Sequence, residues 1–203
     1  MSFMNYQKWL LCILVVGGAL ALAGEYFLVR WYPGHEQRVA DAALKMLPYQ
    51  NEGLSIQMEV AAGIYGKVQV YPGGIRIYRP KLFGGGPSIT ITSKPNTTSS
   101  PQFSAQYLAQ LETAGVRNEL SSYQFEHLTL SGRDAAMIWQ YHPRSRTMEV
   151  TAQIMAPDRI VTAVCNTGYG NQAVYTQACD KSLRSIKLLG PPSNLIQPVD
   201  EIN

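Results

Sequence analysis

The chain has 203 residues, 46% of them hydrophobic and 15% charged, and a formal net charge of +3. That length holds one ordinary domain and a modest addition, and excludes a multi-domain machine. The composition is too apolar for a disordered chain, and the cations are too dispersed for a nucleic-acid footprint.

At the amino end, the run from Trp9 to Gly24 carries no charge; Glu25 interrupts it, and Tyr26 to Val29 follow before Arg30. Two readings compete. A cleaved secretory signal uses Lys8 as its basic start and Ala21-Leu22-Ala23 as its cleavage site. A retained transmembrane helix runs from Trp9 to Trp31, spanning roughly 33 Å. Aromatic side chains at both ends, Trp9 at one and Trp31 with Tyr32 at the other, favour retention as membrane-interface anchors. Gly17, Gly18, Ala21, Gly24 and Glu25 fall within about 120° of one another on a helix, a small-residue face suited to packing against another membrane subunit. The alternative is that Glu25 bends outward to the headgroups and the glycines have no partner.

After the break at Pro33-Gly34, apolar residues at helical spacing predict a connector helix from His35 to Leu47. Alternation then predicts strands around Leu54 to Val60, Val68 to Val70 and Ile75 to Ile77, the last two forming a hairpin about Pro72-Gly73-Gly74. Ile89 to Ile91 is a further short strand, and the polar run from Ser93 to Pro101 is a loop. A helix follows from Phe103 to Val116, with an apolar flank that should cover a sheet. Strands at about Tyr123–Leu130, Ala135–His142, Thr147–Met155 and Ile160–Asn166 form an antiparallel meander, and a closing helix runs from Asn171 to Leu188. This order predicts an α+β fold, an antiparallel sheet covered by helices and preceded by one transmembrane helix. The expected organisation is a membrane anchor over residues 1–32, a connector helix over 33–50, an exported domain over 51–190 and an extended tail over 191–203.

Chemistry is sparse. His35, His127 and His142 are scattered, and no nucleophile-elbow, metalloprotease or paired-cysteine motif accompanies them. Glu126 and His127 are neighbours in a strand and point to opposite faces. The triplet Gly84-Gly85-Gly86 lacks the Lys-Ser/Thr of a phosphate loop, and Asn96-Thr97-Thr98 is a glycosylation sequon of little weight. No catalytic residue, metal site or cofactor is expected. Arg144 and Arg146 stand at a hairpin tip, either as ordinary solvated charges or as a contact for an acidic partner. Cys12 lies in the membrane segment. Cys165 ends a strand and Cys179 lies in the closing helix; a bridge between them closes a loop of about 15 residues, worth roughly 3 kcal/mol by chain entropy in an oxidising compartment. A pair of buried reduced thiols is the alternative.

Two segments, Gly132-Arg-Asp-Ala-Ala136 and Ala178-Cys-Asp-Lys-Ser-Leu-Arg-Ser-Ile-Lys-Leu188, resemble the PsbP-like family, and the resemblance covers roughly Asn51 to Leu189. It implies an α/β/α sandwich that binds or scaffolds without a shared catalytic centre, attached to a larger assembly. The leading expectation is therefore a non-enzymatic, single-span accessory subunit of a membrane complex. Its most concrete form is a photosystem or photosynthetic reaction-centre subunit, in contact with other subunits and the bilayer, with its domain on the periplasmic or other extracytoplasmic side. The alternative is an exported ligand-binding domain, anchored or secreted, with a pocket between helix and sheet and an unidentified small ligand.

Overall fold

The computed structural model describes residues 3–26, 41–42, 44–80, 86–114, 122–168 and 172–190. Two compact units divide the chain, Met1–Ala42 and Ala43–Asn203. In the first, helix α1 spans Phe3–Tyr26. Trp9 is 71% exposed, and Gly17, Gly18, Ala21 and Glu25 are likewise exposed. Trp31 and Tyr32, the other expected anchors, lie outside the described residues.

Among the described residues, no helix is long and apolar enough to cross a membrane. This corrects the expected single-pass location. The physical reason lies in the flanks of the apolar run: Lys8 and Glu25 bracket an uncharged stretch shorter than the roughly 20 apolar residues that a bilayer core requires.

The second unit is mostly β, and the expected α+β sandwich of one helix-covered sheet is corrected by it. Strands β1 (Met46–Asn51), β2 (Ile56–Ala61) and β10 (Lys187–Leu188) make a three-stranded antiparallel sheet in the order β1-β2-β10. A seven-stranded antiparallel sheet runs β3-β4-β5-β9-β8-β7-β6, from β3 (Lys67–Tyr71), β4 (Gly74–Tyr78), β5 (Ser88–Pro95), β6 (Tyr123–Leu130), β7 (Arg133–His142), β8 (Thr147–Met155) and β9 (Arg159–Asn166). Helix α2 (Ala105–Ala114) has no fully buried residue; its flank of Tyr107, Leu108 and Leu111 lies half-buried on one face of the large sheet and covers only part of it. Helix α3 (Gln172–Arg184) buries Ala178, Cys179 and Leu183.

Two local departures from the sequence pattern produce the difference. Met46 and Leu47, expected to end the connector helix, begin β1 and pair with Ala61 and Val60. Lys187 and Leu188, expected to end the closing helix, pair instead with Gln57 and Ile56. β2, expected as a strand, is therefore flanked by β1 and this short return strand, and a second sheet forms where the sequence pattern suggested helix at both edges.

The larger sheet is two-faced because strand side chains alternate. Val150, Ala152 and Ile154 of β8 stand opposite Cys165, Ala163 and Val161 of β9, all buried in the main core with Ile56, Met58, Tyr65 and Leu183. On the other face, Ala136 and Met155 pack with Phe103, Tyr107, Leu108, Leu111, Phe125 and Ile160. Turns set the register. Pro72-Gly73 closes β3 onto β4 with Gly73 at φ +78°, and Ser131-Gly132 closes β6 onto β7 with both residues at positive φ, the geometry preferred in two-residue hairpins. Gly74 is required for a different reason: a Cβ there would lie 2.7 Å from the Ile91 carbonyl oxygen and from the Tyr71 ring.

Cys165 and Cys179 are joined by a disulfide with Cα atoms 5.7 Å apart, tying β9 to α3. The buried Tyr65 hydroxyl donates to Cys165 Sγ at 3.2 Å. Burial pushes its phenol far above the ordinary range, with Tyr175 adding to the shift, so Tyr65 remains a neutral donor.

Two outcomes follow from this packing. The Gly74→Ala variant loses about 1–3 kcal/mol of stability in urea unfolding, because its methyl group meets backbone that has no room to yield. The Cys165→Ala, Cys179→Ala double variant unfolds with a free energy lower by about 3 kcal/mol, the chain-entropy value for a loop of this length; an unchanged urea midpoint contradicts a structural role for the bridge.

Candidate functional site

The cavity with the most built lining lies on the second face of the large sheet, beneath the segment that leads into α2. It encloses about 490 Å³ and is lined by Lys94, Phe103, Tyr107, Gln153, Met155 and Ile160, among others. The sheet supplies its floor. Gln153 and Met155 of β8 stand opposite Thr162 and Ile160 of β9, and Lys94 of β5 stands opposite Ile160. These positions are one residue out of phase with the core row, so the same strands fill the core and line the cavity.

Loop 96–104 supplies the wall, and a hydrogen-bond network gives it shape. Asn96 Nδ2 donates to the carbonyls of Ala156 at 2.9 Å and Ser100 at 3.2 Å, while its Oδ1 accepts from the Thr98 backbone N–H at 3.0 Å and the Thr98 hydroxyl at 2.6 Å. The Asn96 backbone N–H also donates to the Asp158 carbonyl. The sequon asparagine is thus the organiser of the loop, with its amide nitrogen held inside it. Ser100 Oγ accepts from the Gln102 N–H, and Ser104 caps α2 by accepting from the Tyr107 N–H at 3.1 Å.

Asp134 anchors the other end of this loop. Its Oδ2 accepts from the Phe103 backbone N–H at 2.7 Å, and its Oδ1 meets His127 Nε2 at 2.6 Å. His127 and Glu126 do point to opposite faces: Glu126 Oε2 accepts from Arg184 at 2.6 Å on the α3 side. Holding Phe103 in place sets the aromatic wall, because its ring stacks on Tyr107 with centroids 5.4 Å apart. The Tyr107 hydroxyl donates to Gln153 Oε1 at 2.8 Å, satisfying a polar side chain that the apolar floor would otherwise strand. Lys94 is exposed and has no ion-pair partner among the described residues.

Most of the residues singled out from sequence lie elsewhere. Arg144 and Arg146 are exposed in the β7–β8 turn, at the opposite end of β7 from Arg133, without ion-pair partners among the described residues. Gly17, Gly18, Ala21, Gly24 and Glu25 lie along α1, where a Cβ at any of the three glycines meets open space. Among the described residues, no group of three His, Cys, Asp or Glu side chains is arranged to hold a metal. The cavity residues Lys94, Phe103, Tyr107 and Gln153, and their supports Asn96 and Asp134, were not singled out as a site by sequence. The single available signal was the polar loop preceding a helix with an apolar flank.

No protein-family model and no curated protein matches the chain. Among solved structures, it is similar to a protein from Bacteroides thetaiotaomicron at 10% identity and a TM-score of 0.43, over 70% of this chain and 47% of that one. It is also similar to PA94, a protein of unknown function from Pseudomonas aeruginosa, at 14% identity and a TM-score of 0.42, over 73% of this chain and 99% of that one. The chain thus spans about half the length of the Bacteroides protein. Neither similarity carries a function to this chain.

The Asn96 network predicts a specific loss. Asn96→Ala removes the two bonds that Nδ2 donates to the Ala156 and Ser100 carbonyls and the turn that Oδ1 closes with Thr98, lowering stability by about 1–3 kcal/mol and raising amide hydrogen exchange selectively over residues 96–104. Uniform exchange across the sheet, with the loop unchanged, contradicts the organising role.

Proposed function

We propose that the second unit is a binding module located outside the cytoplasm, which takes a small amphipathic molecule into the cavity beneath loop 96–104. One observation carries this reading: a volume of about 490 Å³ in which a stacked aromatic pair, Met155 and Ile160 adjoin an unpaired ammonium. Such volumes suit drug-sized ligands, and a mostly apolar lining with a few placed polar groups is the usual composition of a small-molecule site.

The chemistry divides by position. Phe103, Met155 and Ile160 offer surface to an apolar body, Lys94 offers charge to an anionic head, and the Tyr107–Gln153 pair offers a fixed polar edge. The compartment follows from the disulfide, which persists where the environment is oxidising. The accessory-subunit expectation rested on a membrane span that the described helices do not provide, and on a family resemblance that no family model matches. The photosynthetic version of it has no other support.

Calorimetric titration of the whole chain with decanoate tests the proposal. Saturable binding is expected, weakened about tenfold in Lys94→Gln, which corresponds to about 1.4 kcal/mol of head-group interaction. Ile160→Trp fills the cavity from its half-buried floor position and abolishes binding while circular dichroism stays unchanged. Equal heats from the original chain and a folded Ile160→Trp variant overturn the assignment.

A further inference from the structure

A second cavity, separate from the one beneath loop 96–104, opens at the end of the large sheet where the two sheets meet. It encloses about 340 Å³ and is lined by Arg133, Ala156, Pro157, Asp158, Arg159, Leu188 and Gly190. Three turns and the short strand β10 converge there. The Ser131 hydroxyl accepts from the Leu188 N–H at 3.0 Å, and the Ser55 carbonyl accepts from the Leu189 N–H at 2.9 Å. These bonds hold the wall at Leu188 against the β6–β7 hairpin and the turn before β2.

Arg159 is the unusual residue. It occupies the first position of the core-facing row of β9, ahead of Val161, Ala163 and Cys165, and is only 2% exposed. A guanidinium taken out of water needs its donors satisfied. Its Nη1 donates to Asp158 Oδ2 at 2.9 Å, and Nη2 reaches the Ser55 carbonyl at a long 3.4 Å. Its Nε–H is buried and has no acceptor among the described residues. The Asp158 carboxylate is 45% exposed and engages one donor of the fork. Arg133 lines the same cavity from the start of β7, is exposed, and has no carboxylate partner among the described residues.

We infer that this cavity is a binding site for a compact oxyanion, a phosphate or carboxylate group, held between Arg133 and the unsatisfied edge of the Arg159 guanidinium. The charges at the site are Arg133 and Arg159 against Asp158, a surplus of one positive charge that a single anionic group neutralises. Guanidinium is suited to this task because its planar fork matches the geometry of a carboxylate or phosphate, and charge-assisted bonds of this kind are stronger than neutral ones. Small apolar and backbone surfaces at Ala156, Leu188 and Gly190 leave room for a compact group only. The Asp158 carboxylate at the mouth repels additional negative charge, so the affinity is expected in the millimolar range.

The test is a melting-temperature titration of the whole chain with inorganic phosphate and, separately, with acetate, each against sodium chloride at matched ionic strength. A saturable rise with phosphate alone assigns a phosphorylated ligand, and a rise with acetate assigns a carboxylate; both support the site. Arg133→Gln, an exposed position with no carboxylate partner to lose, raises the half-saturating concentration about tenfold. Arg144→Gln, a cation at the opposite end of β7, leaves it unchanged. Arg159→Lys keeps the charge beside Asp158 but lacks the Nε–H, and also weakens the response. No rise beyond that of chloride, or an equal rise in the original chain and in Arg133→Gln, overturns the inference.

Discussion

The two-sided burial of strands β7 to β9 is the constraint from which the rest of the second unit follows. Alternate side chains of one strand enter two different environments, and both must be filled. On one face, Ala135, Met137, Val150, Ala152, Ile154, Val161 and Ala163 meet the three-stranded sheet and α3. On the other, Ala136 and Met155 meet Phe103 and its neighbours. A sheet with a single buried face would need only a polar reverse side. Here the reverse side is partly apolar, and the chain covers it with a loop and a short helix rather than a full layer. The cavity exists because that cover is incomplete.

Polar residues on this second face each require a partner, and the partners are what fix the cover. Gln153 receives the Tyr107 hydroxyl, while Asp134 receives both the Phe103 N–H and the His127 ring. Each bond contributes only on the order of 1 kcal/mol. Their collective effect is geometric: they connect strand positions to a loop that has little buried surface of its own. A site on such a loop is held in shape by hydrogen bonds and retains enough apolar surface to receive a ligand.

Local pattern and long-range pairing explain what was legible in the sequence. The meander from Tyr123 to Asn166 was readable because alternation persists for eight or more residues in each strand and turn residues separate the strands. The β3–β4 hairpin was readable from Pro72-Gly73-Gly74. The second sheet was not, since β10 contains two residues and pairs with a strand some 130 positions earlier, for which no local periodicity exists. Pro48 inside β1 further obscured that strand by removing one backbone donor. The amino end differs for the opposite reason: its apolar run is a strong local signal, and Lys8 and Glu25 cut it below the length a bilayer core requires. The cavity under loop 96–104 could not be read because Asn96 acts through Ala156 and Ser100, contacts that only the folded chain creates.

Arg159 shows how alternation can place a charge where the fold would otherwise prefer a methyl group. Its row continues as Val161, Ala163 and Cys165, all buried, so an aliphatic residue at the first position would extend the core with nothing left unsatisfied. A guanidinium there costs desolvation, and a single partly exposed carboxylate offsets only part of it. Replacing buried ion pairs by well-packed apolar side chains is often neutral or stabilising, so stability alone does not account for an arginine at this position. A donor left without an acceptor beside a lined cavity has a simpler physical reading: the missing acceptor belongs to another molecule. The same logic separates the two cavities. The one beneath loop 96–104 has its Tyr107–Gln153 pair already bonded and a mostly apolar lining, and suits an apolar body; the one at Arg159 has an unmet donor and suits an anion.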